Sequence, residues 1–193
     1  MSAPGHRRKT TPQANWRTPK DLFRAANREF RFTLDGAADQ TNHLVDRFLS
    51  ATPGGQGNFG NAWQFAKNPD VTDEWLAEER IFLNPTYGTA LPRWARWCRD
   101  ISARGATVFA VLPVSTAAWF RTIWETADEV RITTRRPQFI HPPQCECKAC
   151  EAGEAGSSTM DIWFVVWRPR YVTDGWAVRG PHFSMWEYPR DEA

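Results

Sequence analysis

The chain lacks any apolar run close to the ~20 residues that a membrane-spanning helix needs, so no membrane partner is expected. Its N-terminal basic residues are followed by no apolar stretch, so the sequence does not predict a secretion signal. A cytoplasmic location is expected instead. The net charge of only +2 provides no overall basic field. A surface that binds nucleic acid would therefore have to be a local patch of positive charge.

Cysteine is also scarce, and three of the four cysteines are Cys145, Cys147 and Cys150. With His141 they provide four potential zinc ligands within ten residues, in a predicted Cys-rich insertion at 141–156. The Cys-x-Cys spacing is tighter than in most zinc knuckles, so reduced thiols on an exposed loop are the alternative. A structural zinc ion is thus one of two interpretations.

Hydrophobic residues, by contrast, make up 41% of the chain and charged residues 24%, which predicts a folded domain with a substantial core. We assign this domain to residues 15–170, after a disordered basic tail at 1–14 and before an extension at 171–193 whose structure the pattern does not indicate. The chain also has 11 tryptophans and 12 phenylalanines. These rings either fill the core or line a pocket for a flat ligand, and the usual burial of aromatic side chains favours the core.

The spacing of apolar residues predicts alternating helices and strands. Thr18 and Pro19 are typical of a helix start, with Thr18 as the cap, and Leu22, Ala26 and Phe30 then share one helical face. The other predicted elements are a helix with an apolar stripe from Leu91 to Ile101, a helix capped by Ser115 or Thr116, and strands at 32–34, 81–83, 107–112, 130–132 and 162–167. This alternation predicts an α/β fold with a largely parallel sheet flanked by helices.

Asp35, Asn84 and Pro113 each directly follow a predicted strand. The carboxyl ends of parallel strands gather at one edge of a sheet, where ligands bind in α/β folds. Loops that begin at these residues are therefore expected to lie side by side and to form a site.

The segment Asn84-Pro85-Thr86-Tyr87 is the most informative one for chemistry. An aromatic amine shares its lone pair with its ring and is a poor nucleophile, and two acceptors on its two hydrogens would free that lone pair. The Asn84 side-chain oxygen and the Pro85 carbonyl can be these acceptors, and the ring of Tyr87 can stack on a flipped-out base. An Asn-Pro turn after a strand is the structural alternative, because such turns are common.

The chain resembles the phage-type, Dam-like DNA N-6-adenine methyltransferases from Trp16 to about Arg168. The matching segments, in chain order, are Trp16-Arg17-Thr18-Pro19, Phe30, Phe32, Leu34-Asp35-Gly36-Ala37-Ala38, Asn42, Arg47-Phe48, Trp75, Phe82-Leu83-Asn84-Pro85-Thr86-Tyr87-Gly88, Val111-Leu112-Pro113, Thr116, Trp119-Phe120, Arg136 to Phe139 and Gly156-Ser157-Ser158. No single segment decides the resemblance, but the ordered set is specific.

This resemblance implies a Rossmann-like, S-adenosylmethionine-dependent methyltransferase fold. It also implies double-stranded DNA as the partner, in a bacterial or phage-infected host cell. The residues that it assigns to the cofactor S-adenosylmethionine are Trp16, Thr18, Pro19, Asp35, Gly36 and Ala37. Those that it assigns to catalysis are Asn84, Pro85, Thr86 and Tyr87.

One residue of the catalytic loop departs from the family, which usually has a second proline where this chain has Thr86. This departure and the Cys-rich loop leave open a catalytically impaired relative that binds DNA. A methyltransferase that acts on RNA or on a protein amide is a further alternative, because the same acceptor pair suits any planar amine. Arg131, Arg135 and Arg136 form a small basic group that either binds DNA phosphates or is a solvated strand end.

Overall fold

The computed structural model describes residues 16–51, 55, 57–141, 160–169 and 180–188, so the tail predicted at 1–14 lies outside the described residues. The helices in these ranges are α1 (Lys20–Phe30), α2 (Ala62–Phe65), α3 (Asp73–Ala77), α4 (Leu91–Ala103) and α5 (Phe120–Thr126). The strands are β1 (Leu34–Ala38), β2 (Phe48–Ser50), β3 (Arg80–Leu83), β4 (Thr107–Pro113), β5 (Glu129–Ile132), β6 (Ile162–Trp167) and β7 (His182–Met185). None of the helices just given has both the length and the hydropathy that crossing a membrane requires.

The described strands form one seven-stranded sheet in the order β2-β1-β3-β4-β6-β5-β7. Strands β2, β1, β3 and β4 are mutually parallel, whereas β6 runs antiparallel to both β4 and β5. β7 belongs to the segment for which the sequence predicted no structure, and it pairs in parallel with β5. This mostly parallel sheet is consistent with a methyltransferase fold that binds S-adenosylmethionine.

Two hydrophobic clusters cover the two faces of the sheet, because successive residues of each strand point to opposite sides. The cluster beneath α1 includes Leu22, Ala26, Phe30, Phe82, Phe109 and Phe164. The cluster beneath α4 and α5 includes Ile81, Leu83, Trp94, Cys98, Ile123, Val165 and Trp167. The α/β prediction with helices on both faces is therefore confirmed. The largest of these rings are fully buried, which also confirms the core interpretation of the aromatic residues.

The first strand is displaced from its predicted position. The sequence predicted a strand at 32–34 followed by a loop at 35–38, but β1 runs from Leu34 to Ala38, so the loop prediction is wrong. Small side chains suggested a loop, whereas here they fit a crowded strand. A Cβ atom on Gly36 would lie 3.0 Å from both Ile81 Cγ2 and Leu83 Cδ1, closer than ordinary van der Waals contact.

Both predicted side-chain caps are wrong as well. α1 begins after Pro19 without a side-chain cap, because the Thr18 hydroxyl is engaged elsewhere, as described below. α5 begins only at Phe120. The Ser115 hydroxyl accepts the N–H of Ala117 two residues ahead, and this local turn replaces a helical start.

Arg131 joins α1 to the far end of the sheet. Its guanidinium donates to both carboxylate oxygens of Glu29, each at 2.6 Å, and to Glu129 on its own strand. Burial opposes ionisation of Glu129, but hydrogen bonds from Arg131, Arg168 and Ser184 outweigh it and lower the pKa of this carboxyl to about 2. Because the Arg131 side chain is only 8% exposed, both the phosphate-binding and the solvated interpretation are wrong for this residue.

We expect Arg131→Leu to lower the free energy of unfolding by about 1–2 kcal/mol, since it leaves the largely buried Glu129 with fewer donors. Urea titrations at neutral pH measure this loss. The control is Arg99→Leu, which breaks an exposed pair with Asp100 and should cost less than about 1 kcal/mol.

Because the depressed pKa of Glu129 contributes stability above its ordinary value of 4.5, the difference in unfolding free energy between variant and wild type should shrink as the pH falls toward 2. A loss no larger than that of the control would contradict this role.

Candidate active site

The candidate active site lies at the carboxyl edge of the sheet, where β3 and β4 end at different heights. β3 ends at Leu83, whereas β4 continues past it to Pro113. The loop that starts at Asn84 therefore lies against the projecting end of β4, and the Tyr87 hydroxyl is 3.3 Å from the carbonyl oxygen of Val111. The prediction that these two strand ends meet at one edge is confirmed.

The side-chain amide of Asn84 is held on two sides. Its Nδ2 donates a hydrogen bond to Thr18 Oγ1 at 2.9 Å, a contact between residues 66 positions apart. Its Oδ1 lies 3.4 Å from the Tyr87 hydroxyl, which donates. An amide oxygen has two lone pairs, so Oδ1 can still accept a hydrogen from a substrate.

Tyr87 is anchored by its ring as well as by its hydroxyl. The ring is partly buried and packs against both hydrophobic clusters, at the place where the sheet ends. Burial raises the pKa of the Tyr87 hydroxyl far above its ordinary value, so the group remains a neutral donor. Gly88 then turns the chain toward α4 with φ 120°, a left-handed conformation that favours glycine.

The backbone between these two residues leaves polar groups available. Pro85 is buried, and no described residue donates a hydrogen bond to its carbonyl oxygen. Thr86 is half-buried, and its N–H has no acceptor among the described residues. The loop therefore offers one side-chain and one backbone acceptor close together, as an amine with two hydrogens requires.

Asp35 lies one strand away, buried inside β1 with only 4% of its surface exposed. Its Oδ2 accepts the N–H of Leu44 at 3.1 Å and its Oδ1 accepts the N–H of Ala37 at 3.3 Å. Burial raises the pKa of the Asp35 carboxyl to about 6, although these two N–H groups and His43 favour the charged form. At neutral pH the group is therefore mostly a carboxylate in a site of low polarity.

The family sequence model for DNA N-6-adenine-methyltransferase (Dam) matches residues 6–173, which is most of the chain. The chain belongs to this family. Curated proteins gave no match. Membership supports DNA adenine methylation in general.

The residues that the sequence assigned to the methyltransferase cofactor fall into two groups. Asp35, Gly36 and Ala37 belong to β1, and Trp16, Thr18 and Pro19 lead into α1. The indole of Trp16 stacks on His141 with ring centroids 4.1 Å apart.

The Trp16 Nε1 is a buried donor without a partner among the described residues. A donor left unsatisfied costs about 1–3 kcal/mol, and the carboxylate of S-adenosylmethionine is an acceptor that would satisfy it. The carboxylate of Asp35 likewise suits the ammonium group of that cofactor. By their chemistry, the Trp16 donor and the Asp35 acceptor thus suit the two charged groups of its amino-acid portion.

The predicted zinc ligands Cys145, Cys147 and Cys150 lie outside the described residues. Within those residues, no group of three or more potential ligands occurs. His141 is described, and its ring is engaged in the stack with Trp16. Burial lowers the pKa of His141 and so favours the neutral imidazole.

Two backbone groups of the candidate site escaped the sequence prediction. The Val111 carbonyl accepts from Tyr87, and the Leu44 N–H holds Asp35. Every residue except proline carries both of these groups, so residue type gives almost no signal for them. The contact between Thr18 and Asn84 was also missed, because a hydroxyl before a helix normally predicts a cap.

Proposed function

We propose that this protein transfers a methyl group from S-adenosylmethionine to the exocyclic amino group of adenine at a specific sequence in double-stranded DNA. The observation that supports it best is the Asn84 amide, held between Thr18 and Tyr87 beside the available carbonyl of Pro85. DNA as the substrate is also the reason to propose the cytoplasm of a bacterial or phage-infected cell as its location.

The acceptor pair addresses the main difficulty of the reaction. Asn84 Oδ1 accepts one hydrogen of the adenine amino group and the Pro85 carbonyl accepts the other. Together they draw the nitrogen toward tetrahedral geometry and direct its lone pair at the methyl donor. Because both acceptors are fixed before the substrate arrives, most of the rate enhancement comes from positioning and electrostatics.

S-adenosylmethionine, when bound, supplies an electrophilic methyl group. In our proposal Asp35 accepts from its ammonium group, and Trp16 donates to its carboxylate, while Thr18 and Pro19 border the same end. No strong base is needed for the transfer, because the nitrogen that gains the methyl group becomes cationic. Its proton is then acidic enough to pass to water.

Tyr87 is proposed to support the flipped-out base. Its ring packs against both hydrophobic clusters, which restricts its rotation, and its hydroxyl contacts Val111 and Asn84. A fixed aromatic face next to the acceptor pair can stack on adenine and limit its rotation, a contact worth about 1–3 kcal/mol in other nucleic-acid proteins.

A methyl-transfer assay with labelled cofactor tests the function. Double-stranded DNA of varied sequence should accept label, and digestion should yield N-6-methyladenine. The same assay with RNA and with protein distinguishes the alternative substrates. DNA binding without methyl transfer to any substrate would favour the impaired DNA-binding relative and contradict our proposal.

Thr86→Pro should leave the turnover rate equal to that of the wild type or higher. The substitution restores the usual family loop and removes an N–H that has no acceptor among the described residues, while it restricts the backbone. Steady-state turnover at saturating cofactor and DNA measures the effect. A fall of more than about threefold would mean that the N–H of Thr86 binds substrate, because a single neutral hydrogen bond contributes about that much.

A further inference from the structure

We propose that Thr18 is a positioning residue for catalysis: its hydroxyl oxygen orients the Asn84 amide so that Oδ1 faces the substrate amine. This inference rests on the proposed function and adds a role for a residue that the sequence assigned to a helix cap and to the cofactor.

The two restraints on the amide differ in strength. The hydrogen bond from Asn84 Nδ2 to Thr18 Oγ1 measures 2.9 Å. The Tyr87 hydroxyl has a single proton, which it shares between Asn84 Oδ1 at 3.4 Å and the Val111 carbonyl at 3.3 Å. Both tyrosine contacts exceed the usual length for a hydroxyl donor. Thr18 is therefore the stronger of the two restraints.

Orientation matters because the two ends of an amide have opposite roles. The terminal torsion of asparagine is broad and roughly two-fold, so an unrestrained side chain can present either its oxygen or its NH₂ group. Only the oxygen can accept a hydrogen from adenine, whereas the NH₂ group would face the amine as a second donor. A reversed amide would place Oδ1 against the Thr18 hydroxyl, which would then have to donate instead of accept. It would also point the NH₂ group at Tyr87 and take one of the two acceptors from the tyrosine proton.

The surroundings of Thr18 are suited to this task. The residue is 5% exposed, so water competes little for its hydrogen bond. Its hydroxyl does not cap α1, unlike that of most threonines before a helix. The following Pro19 disfavours helical geometry at Thr18 and keeps it extended. The start of α1, which the proposed function places beside the cofactor, thereby contacts the catalytic amide directly.

Thr18→Val keeps the shape of the side chain and removes the acceptor. We expect kcat at saturating cofactor and DNA to fall about tenfold, as for the loss of one hydrogen bond in a preorganised site. Cofactor affinity, measured by calorimetry, should change by less. Thr18→Ser, which keeps the oxygen, should recover most of the lost turnover. Thr107→Val makes the same change at the first residue of β4, at the other end of that strand from the candidate active site. It should retain wild-type kcat.

A double-variant cycle separates positioning from cofactor binding. If Thr18 acts through Asn84, then Thr18→Val should slow Asn84→Ala no further. A Thr18→Val variant that loses cofactor affinity but keeps kcat would overturn the proposal, as would an equal loss in the Asn84→Ala background.

Nuclear magnetic resonance of ¹⁵N-asparagine-labelled protein tests the contact without any turnover. The side-chain amide signal of Asn84, assigned by its loss in Asn84→Ala, should shift and exchange faster with solvent in Thr18→Val. An unchanged signal would overturn the proposed contact. A wild type that transfers no methyl group but shows the shifted signal would instead refute the proposed function and leave the contact supported.

Discussion

Asn84→Ala is expected to lower kcat by roughly a hundredfold or more, as removal of a preorganised polar group from an active site typically does. The substitution removes the one side-chain acceptor that the loop offers to the adenine amine, and only the Pro85 carbonyl remains. The lone pair of the nitrogen then stays shared with the ring, which raises the barrier to transfer. Cofactor affinity should stay within about threefold of the wild type, because the lost interaction forms mainly in the transition state.

Two further variants make this result specific. Asn84→Asp keeps an oxygen acceptor, so it should be more active than Asn84→Ala. Asn68→Ala removes an exposed asparagine that only supports a local turn, and it should behave like the wild type. Single-turnover rates with preformed enzyme, cofactor and DNA separate transfer from product release. An active enzyme that is indifferent to Asn84→Ala would place the chemistry elsewhere.

The elements that the sequence predicted well are those with a local signal. The stripe from Leu91 to Ile101 repeats at helical spacing, and it lies buried on α4. The apolar runs at 107–112 and 162–167 became β4 and β6, which pair through the centre of the sheet. The loop at Asn84 followed β3 as expected, because Asn-Pro favours the start of a turn.

The features that the sequence did not reveal depend on residues far apart in the chain. The span from Asp35 to Ala38 lacks large side chains, and only the neighbouring β3 explains why a strand there must have small ones. Thr18 resembles a helix cap until Asn84 is brought beside it. The reversed direction of β6 likewise follows from its partners and not from its own residues. Local patterns thus determined the elements, while pairing across the fold determined the polar contacts of the site.

Asp35→Ala should weaken the binding of S-adenosylmethionine by more than tenfold, since a charge-assisted hydrogen bond contributes roughly 1.5–3 kcal/mol. The Asp35 carboxylate also holds the N–H of Leu44, so the variant could act by loosening the loop after β1. Asp39→Ala is the matched control, because Asp39 turns the same loop through Thr41 and is exposed. Calorimetry should show near wild-type affinity for the control. Equal losses in both variants would assign the effect to loop structure and not to the charge of Asp35.

The pH dependence of binding tests the charge itself. Burial raises the pKa of Asp35 to about 6, so the wild-type carboxyl becomes protonated as the pH falls from 7 to 5 and no longer attracts an ammonium group. Cofactor affinity should therefore decrease about tenfold over this interval and also decline above pH ~8, where an α-amino group loses its proton. In Asp35→Ala, the decrease in cofactor affinity between pH 7 and pH 5 should disappear. His43→Gln should keep this decrease, which excludes an indirect effect of the neighbouring side chain that also favours the charged form of Asp35. Because the pKa of Asp35 is raised in the folded state, its protonation favours the folded state as the pH falls. Weaker cofactor binding at pH 5 should therefore occur without any loss of the stability that Asp35 contributes. An affinity that stays constant from pH 7 to 5 would show that Asp35 supports the strand and its loop without binding the cofactor.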